Sequence, residues 1–157
     1  MRIVCFSDSH GNALVLPKIV LSQTNADAFV FLGDGEREFD ELRERFPDKI
    51  MRAVRGNCDW GSEKPLVDML VINRKRIFFA HGHSFNIKMG TADFVKEAKY
   101  NKADIALFGH THIAMIDYTD NLHIMNPGSP AQPRQGNASY GFIDITDAGI
   151  FSRIVII

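Results

Sequence analysis

The chain has 157 residues, enough for one domain whose core takes in about two-thirds of the surface the unfolded chain exposes. Hydrophobic residues make up 45% and charged residues 24%, which sets aside disorder and coiled coil. A net charge of −1, from 18 basic and 19 acidic side chains, lacks the basic excess of a general nucleic-acid binder, and apolar runs as short as Ala28–Leu32 and Ile154–Ile157 cannot span a bilayer.

Arg2 leads directly into an apolar stretch, so no signal peptide is expected. Cys5 and Cys58 are the only cysteines, too few for a disulfide framework and consistent with a reducing cytoplasm. In chain order, Ile3–Ser7 reads as a buried strand. A helix follows around Pro17–Gln23, with Pro17 in its first turn, where a missing N–H costs nothing. Ala28–Leu32 is a second strand. Glu36–Phe46 carries Phe39, Leu42 and Phe46 at helical spacing among charges, the pattern of an amphipathic surface helix. Ile50–Val54, Leu66–Ile72 and Arg76–Ala80 read as strands. Thr91–Tyr100 reads as a helix, with Thr91 or Gly90 near its N-cap, and Ile105–Phe108 as a strand. The pattern then changes to strands alone: Ile113–Thr119, Leu122–Met125, Tyr140–Thr146 and Ile150–Ile157, with turns at Asp120-Asn121 and Asp147-Ala148-Gly149. A βαβ-rich start and a strand-rich finish predict an α/β fold, a layered αββα sandwich of two mixed β-sheets flanked by helices.

The polar residues at the strand ends carry the chemistry. Five apolar strands finish in Ser7-Asp8-Ser9-His10-Gly11-Asn12, Gly33-Asp34-Gly35, Gly56-Asn57-Cys58-Asp59, His81-Gly82-His83 and Gly109-His110-Thr111-His112. Strand carboxyl ends form one crevice in open α/β sheets, so these residues are expected to converge. One such Asp is ordinarily a cap and one such His ordinarily structural. Five of the six histidines at glycine-flanked strand ends are a different matter; His123 alone lies mid-strand and is read as structural.

The motifs D-x-H, G-D-x, G-N-[HC]-[DE], a lone His after a strand and G-H-x-H stand here in order, from Asp8 to about Arg134. In this the chain resembles the calcineurin-like metallophosphoesterase superfamily. The likeness extends to its small bacterial and archaeal phosphodiesterase branch, through Cys58 and the segment Asn126-Pro127-Gly128-Ser129-Pro130…Pro133-Arg134. The resemblance implies two metal ions, one held by Asp8, His10, Asp34 and His112 and the other by Asp34, Asn57, His81 and His110. Asp34 would bridge through its two carboxylate oxygens. A tight turn after Gly109 would let His110 and His112 face the same way. Asp8, His10, Asp34, Asn57 and His81 are taken as catalytic, and a hydroxide bridging the metals as the nucleophile, acidified toward pKa ~7.

Mixed imidazole, carboxylate and amide ligands suit Mn²⁺, Fe²⁺, Zn²⁺ or Ni²⁺, and the resemblance favours manganese. Two divalent ions, less two aspartates and a hydroxide, leave about +1 to attract a phosphate-ester anion. Where the wider superfamily often has His in its third motif, this chain has Cys58, read as a residue that packs in its turn. His83 is a substitute proton donor or a rim residue. With Asn12 and Arg134 it makes up the candidate substrate contacts, Arg134 by a bidentate grip on phosphoryl oxygens. The expected function is a metal-dependent phosphodiesterase. The alternatives are a phosphomonoesterase or nucleotide hydrolase, and a non-catalytic scaffold like the retromer subunit that shares the fold. The apolar Ile154–Ile157 run is compatible with a homo-oligomer or with a buried strand.

Overall fold

In the computed structural model, which describes residues 1–157, the chain builds two five-stranded sheets from β1 (Arg2–Phe6), β2 (Ala28–Phe31), β3 (Ile50–Ala53), β4 (Val67–Ile72), β5 (Lys75–Ala80), β6 (Ile105–Phe108), β7 (Met115–Thr119), β8 (Leu122–Asn126), β9 (Ser139–Thr146) and β10 (Gly149–Ile156). Three helices accompany them: α1 (Val15–Ser22), α2 (Glu36–Arg45) and α3 (Ala92–Tyr100). The first sheet runs β10-β9-β1-β2-β3 and the second β4-β5-β6-β8-β7. In the first, β1, β2 and β3 are parallel, and β9 runs antiparallel to both β1 and β10; in the second, β5, β6 and β8 are parallel, with β4 and β7 as antiparallel edges.

Strand alternation explains the layers. Ile3, Cys5, Ala28, Val30, Ile77, Phe79, Ile105 and Leu107 point inward and fill the space between the sheets. Their neighbours Val4, Phe6, Phe29 and Phe31 point outward and meet Leu16, Ile19, Phe39 and Leu42 of α1 and α2. On the second sheet Phe78, Ala106 and Phe108 pack against Phe94 and Ala98 of α3. Strands buried on both faces read as continuous apolar runs, which is why β1, β2 and β6 were so plain in the sequence.

The expected αββα sandwich is present, with small differences at the element ends. α1 begins at Val15, two residues before Pro17, which still falls in the first turn. Thr91 stands at the N-cap of α3, but its side chain makes no cap hydrogen bond. Ile113 lies outside β7 and forms an isolated bridge with Gln135. Asp120 and Asn121 join β7 to β8 with φ of 47° and 64°, the primed turn that a two-residue hairpin loop requires. The Ile154–Ile157 run closes the β10 edge of the first sheet, with Ile154 packed between the sheets and Val155 on the helical side.

Candidate metal centre

The loops leaving β1, β2, β3, β5 and β6 meet at one end of the sandwich. They are cross-tied through their backbones: Asp8 N–H donates to Gly33 O (2.9 Å), His10 N–H to Asp34 O (3.1 Å) and Gly109 N–H to His81 O (3.0 Å). Asp8, His10, Asp34, His110 and His112 all adopt left-handed backbone, φ between 42° and 65°, five of the eleven non-glycine residues with positive φ. That conformation is costly for residues with a Cβ and concentrates at functional sites. It turns His110 and His112, which an extended chain would send to opposite sides, toward one centre. Gly33 and Gly56 let the β2 and β3 loops touch, since a Cβ on Gly33 would run into the Gly56 backbone.

Asp59 organises the second and third loops. Its carboxylate accepts four backbone N–H groups: those of Asp34 (2.8 Å), Gly35 (2.9 Å), Glu36 (2.9 Å) and Gly56 (2.7 Å). Glu38 does the same for the first loop, accepting from Ser9 Oγ (3.0 Å) and Gly11 N–H (2.6 Å). Ser129 Oγ donates to Asp8 O (2.8 Å), and Asn126 Nδ2 to Gly109 O (2.9 Å).

Two donor clusters result. In one, His112 Nε2 lies 3.1 Å from Asp8 Oδ1 and 3.2 Å from His10 Nε2. In the other, His81 Nε2 lies 3.1 Å from Asn57 Oδ1, 3.2 Å from His110 Nδ1 and 3.4 Å from Asp34 Oδ2. The same Asp34 Oδ2 is 3.8 Å from His10 Nε2, so one oxygen faces both clusters. The sequence reading assigned the bridge to two oxygens; here Oδ1 is occupied by the Cys58 N–H at 2.7 Å, and only Oδ2 is turned to the centre.

The donor chemistry fits cations. His81 Nδ1 donates to Leu32 O and His112 Nδ1 to Gln132 O, both at 2.7 Å, which leaves each Nε2 as the lone-pair nitrogen of the neutral ring. Those lone pairs face other acceptors. Asp8 Oδ1 is buried without a hydrogen-bond partner, while Oδ2 accepts from His110 N–H (3.0 Å). Donors bonded at about 2.0–2.2 Å to a shared ion sit about 3–3.6 Å apart, the separations seen within each cluster. Burial lowers the pKa of His81, but hydrogen bonding and charge from Asp34, with the charge of Asp8, outweigh it and raise it. The Asp8 carboxylate likewise raises His112 against burial. Asp34 is pushed up by burial and pulled further down by His81 and the Cys58 amide. His110 falls to about 4 through burial and the nearby His81 charge.

All seven ligand candidates therefore come together, and the other sequence candidates divide. Arg134 is exposed and lines a cavity of about 130 Å³ with His10, Asp34, Asn57, His110 and His112. Asn12 lines neither this cavity nor the larger cleft beside it; its Oδ1 accepts from Leu14 N–H at 3.3 Å. The His83 ring lies beside the centre, tilted against His81 at 5.4 Å and edge-on to His110 at 6.1 Å, with its Nδ1 buried and unpartnered. Burial and the His81 charge lower its pKa. Cys58 does not pack in its turn. The residue is exposed, and its thiol is pushed up to about 11 by partial desolvation at the loop surface and by the neighbouring Asp34 carboxylate. His123 lies edge-on to Tyr118 at 4.9 Å, away from the centre, as a structural residue would. Lys88, Gln132 and Asp59 were missed by the sequence reading. Of these, Asp59 alone left a signal, as the last residue of Gly56-Asn57-Cys58-Asp59.

The calcineurin-like phosphoesterase superfamily domain matches residues 1–148, and those residues hold every member of both clusters. The chain belongs to that superfamily. Phosphodiesterase YfcE of Escherichia coli K12 is 28% identical to this phosphoesterase over 190 aligned positions, covering 99% of this chain and 98% of YfcE. A predicted phosphoesterase of Streptococcus pneumoniae TIGR4 superposes with a TM-score of 0.88 at 28% identity, over 99% of this chain and 88% of that one. Vps29 of Entamoeba histolytica, solved with Zn²⁺, shares the fold with a TM-score of 0.74 at 18% identity, over 99% of this chain and 98% of its own. No helix of this phosphoesterase is long and apolar enough to cross a membrane.

Proposed function

We propose that this phosphoesterase hydrolyses phosphodiesters with two divalent cations. Asp8, His10, Asp34 and His112 would hold one, and Asp34, Asn57, His81 and His110 the other, with Asp34 Oδ2 common to both. The observation that carries the reading is the convergence of acceptor atoms in two adjacent groups, one at the unpartnered Asp8 Oδ1 with His112 and one at His81 Nε2 with Asn57 and His110, which positive charge would stabilise. When bound, the cations supply charge for the phosphoryl oxygens and acidify water toward pKa ~7.

The protein's own part is orientation. Leu32 O and Gln132 O fix the His81 and His112 rings, and Asp59 fixes the loop that carries Asp34. Arg134, which lines the cavity, would grip a phosphoryl oxygen and neutralise charge that builds on it. No serine or cysteine nucleophile is required. The mixed nitrogen and oxygen donors suit Mn²⁺, Fe²⁺, Zn²⁺ and Ni²⁺ alike, and manganese is the proposed metal on the family resemblance alone.

The test is a panel of activated aryl phosphodiesters and monoesters assayed with Mn²⁺, Ni²⁺, Zn²⁺ and Mg²⁺. Diester hydrolysis stimulated by Mn²⁺ and abolished by chelation is expected. Faster monoester turnover would move the assignment to a phosphomonoesterase. Inactivity on every ester with two ions verified in place would favour a non-catalytic role on the fold shared with Vps29.

A further inference from the structure

Beside the metal centre a cleft of about 630 Å³ opens between the start of α2 and the loop after β3. It shares His10, Asp34 and Cys58 with the centre and continues to Gly35, Glu36, Asp40, Trp60 and Ser62. Trp60 is the only tryptophan of the chain, and 92% of it is exposed. This exposure does not come from a slack loop. Asp59 ties the loop's start to β2, Ser62 N–H donates to Asp59 O (3.3 Å), and Arg55 Nη1 donates to Ser62 O (3.0 Å). A rigid turn thus presents a large apolar ring to water at the wall of the cleft, where its face is available to another aromatic ring.

The cleft is also unsuited to a second phosphate. A helix N-terminus ordinarily offers N–H groups to anions, but here the Gly35 and Glu36 amides are both taken by Asp59 at 2.9 Å. The side chains nearby are mainly carboxylates. Lys64 is spent on Glu36 (2.8 Å) and Asp40 (2.9 Å), and Arg37 on Glu41 (3.1 Å). Glu36 Oε1 accepts from Lys64 and its Oε2 is buried, so Glu36 adds a carboxylate to the wall without offering a free oxygen to a ligand.

We propose that Trp60 and this cleft form a subsite for the uncharged aromatic arm of the phosphodiester, a nucleoside, and that its carboxylates turn away substrates with further phosphates. The inference rests on the phosphodiesterase reading and adds the substrate class. The Trp60 indole stacks on the base. The phosphate at the metal centre is the only one the site admits.

The lone tryptophan makes binding directly observable. In the Mn²⁺-loaded protein, adenosine 5′-monophosphate should quench Trp60 fluorescence saturably. Ribose 5-phosphate, which lacks the base, should not, and adenosine 5′-triphosphate should need at least about tenfold higher concentration. In turnover, Trp60→Ala should lower the kcat/KM ratio for thymidine 5′-(4-nitrophenyl) phosphate over methyl 4-nitrophenyl phosphate by about tenfold, and Trp60→Phe should restore most of it. Absence of saturable quenching by the monophosphate, equal response to the triphosphate, or an unchanged ratio in Trp60→Ala would overturn the subsite. Failure of the wild type to hydrolyse either ester would instead overturn the phosphodiesterase reading, with the fluorescence still deciding the subsite.

Discussion

The two donor clusters are built on one plan but set at different depths. Each pairs an imidazole fixed by a main-chain carbonyl, His112 or His81, with one that lacks such a tie, His10 or His110. The His81 side chain is fully buried, whereas 19% of the His10 side chain is exposed. Both clusters are completed at the rim, by His10 in one and by half-buried His110 and exposed Asn57 in the other, so the contrast lies in the anchored rings: the His81 side chain is 0% exposed and the His112 side chain 8%. An oriented, desolvated ligand has less freedom to lose on binding, so the His81 cluster should bind more tightly even though it has the Asn57 amide where the other cluster has the Asp8 carboxylate.

Removing what the clusters share should have the largest effect. Asp34→Ala should abolish paired binding and lower phosphodiester turnover by about three orders of magnitude or more, ~4 kcal/mol of barrier. Asp8→Ala should mainly weaken one site. Elemental analysis of both variants separates the cases, and two ions retained per chain in Asp34→Ala with near-normal turnover would remove the shared-oxygen role. The contrast itself is sharpened by His81→Ala against His10→Ala. Calorimetric titration with Mn²⁺ should show the weaker site left in His81→Ala and the tighter one left in His10→Ala, apart by on the order of tenfold in affinity. Equal losses would mean that burial does not distinguish them.

Asp59→Asn tests the support rather than the ligands. An amide would set its own N–H groups against backbone donors that the carboxylate now satisfies. The variant should lose about 1–3 kcal/mol of stability by denaturant titration and about 10–100-fold in activity as Asp34 shifts. Full activity would show that the loop holds its shape without Asp59.

These variants also mark what the sequence made legible. Residues of ligand type close five apolar strands, so local pattern marks Asp8, Asp34, His81 and His110 as candidates while the family resemblance supplies their roles, and the double burial of β1, β2 and β6 makes the strands plain. What it did not reveal depends on contacts across the chain. Leu32 O and Gln132 O act through main-chain atoms that carry no residue signature. Cys58 is exposed in a turn that Asp59 ties back to the loop after β2, more than twenty residues away. Lys88 arrives on a 3-10 turn, Ile87–Met89, with no periodicity to announce it.

Smaller effects bound the site. Cys58→Ser should change turnover by less than about tenfold, ~1.4 kcal/mol. A plot of log rate against leaving-group pKa that steepens in Cys58→Ser would show that the thiol donates a proton. Cys58→His should flatten that plot if the exposed turn presents an imidazole to the leaving oxygen. At the far end of β1, the half-exposed Arg2–Asp144 pair (2.7 Å) lies away from all of this. Asp144→Asn should leave turnover unchanged and cost less than about 1 kcal/mol. The Arg2 hydrogen bond and charge hold the Asp144 pKa down, so the pair's contribution is present above about pH 4 and fades as the pH falls. The melting temperatures of variant and wild type should therefore converge in acid.

The left-handed backbone at Asp8, His10, Asp34, His110 and His112 bears on how the protein can be engineered. Each such residue carries strain of about 1–3 kcal/mol that a glycine would relieve. A selection for heat resistance alone, run without a turnover step, would then favour glycine at these five positions and accumulate sturdier, inert descendants. Libraries aimed at thermostability should hold all five fixed and draw their gains from the sheets and helices instead.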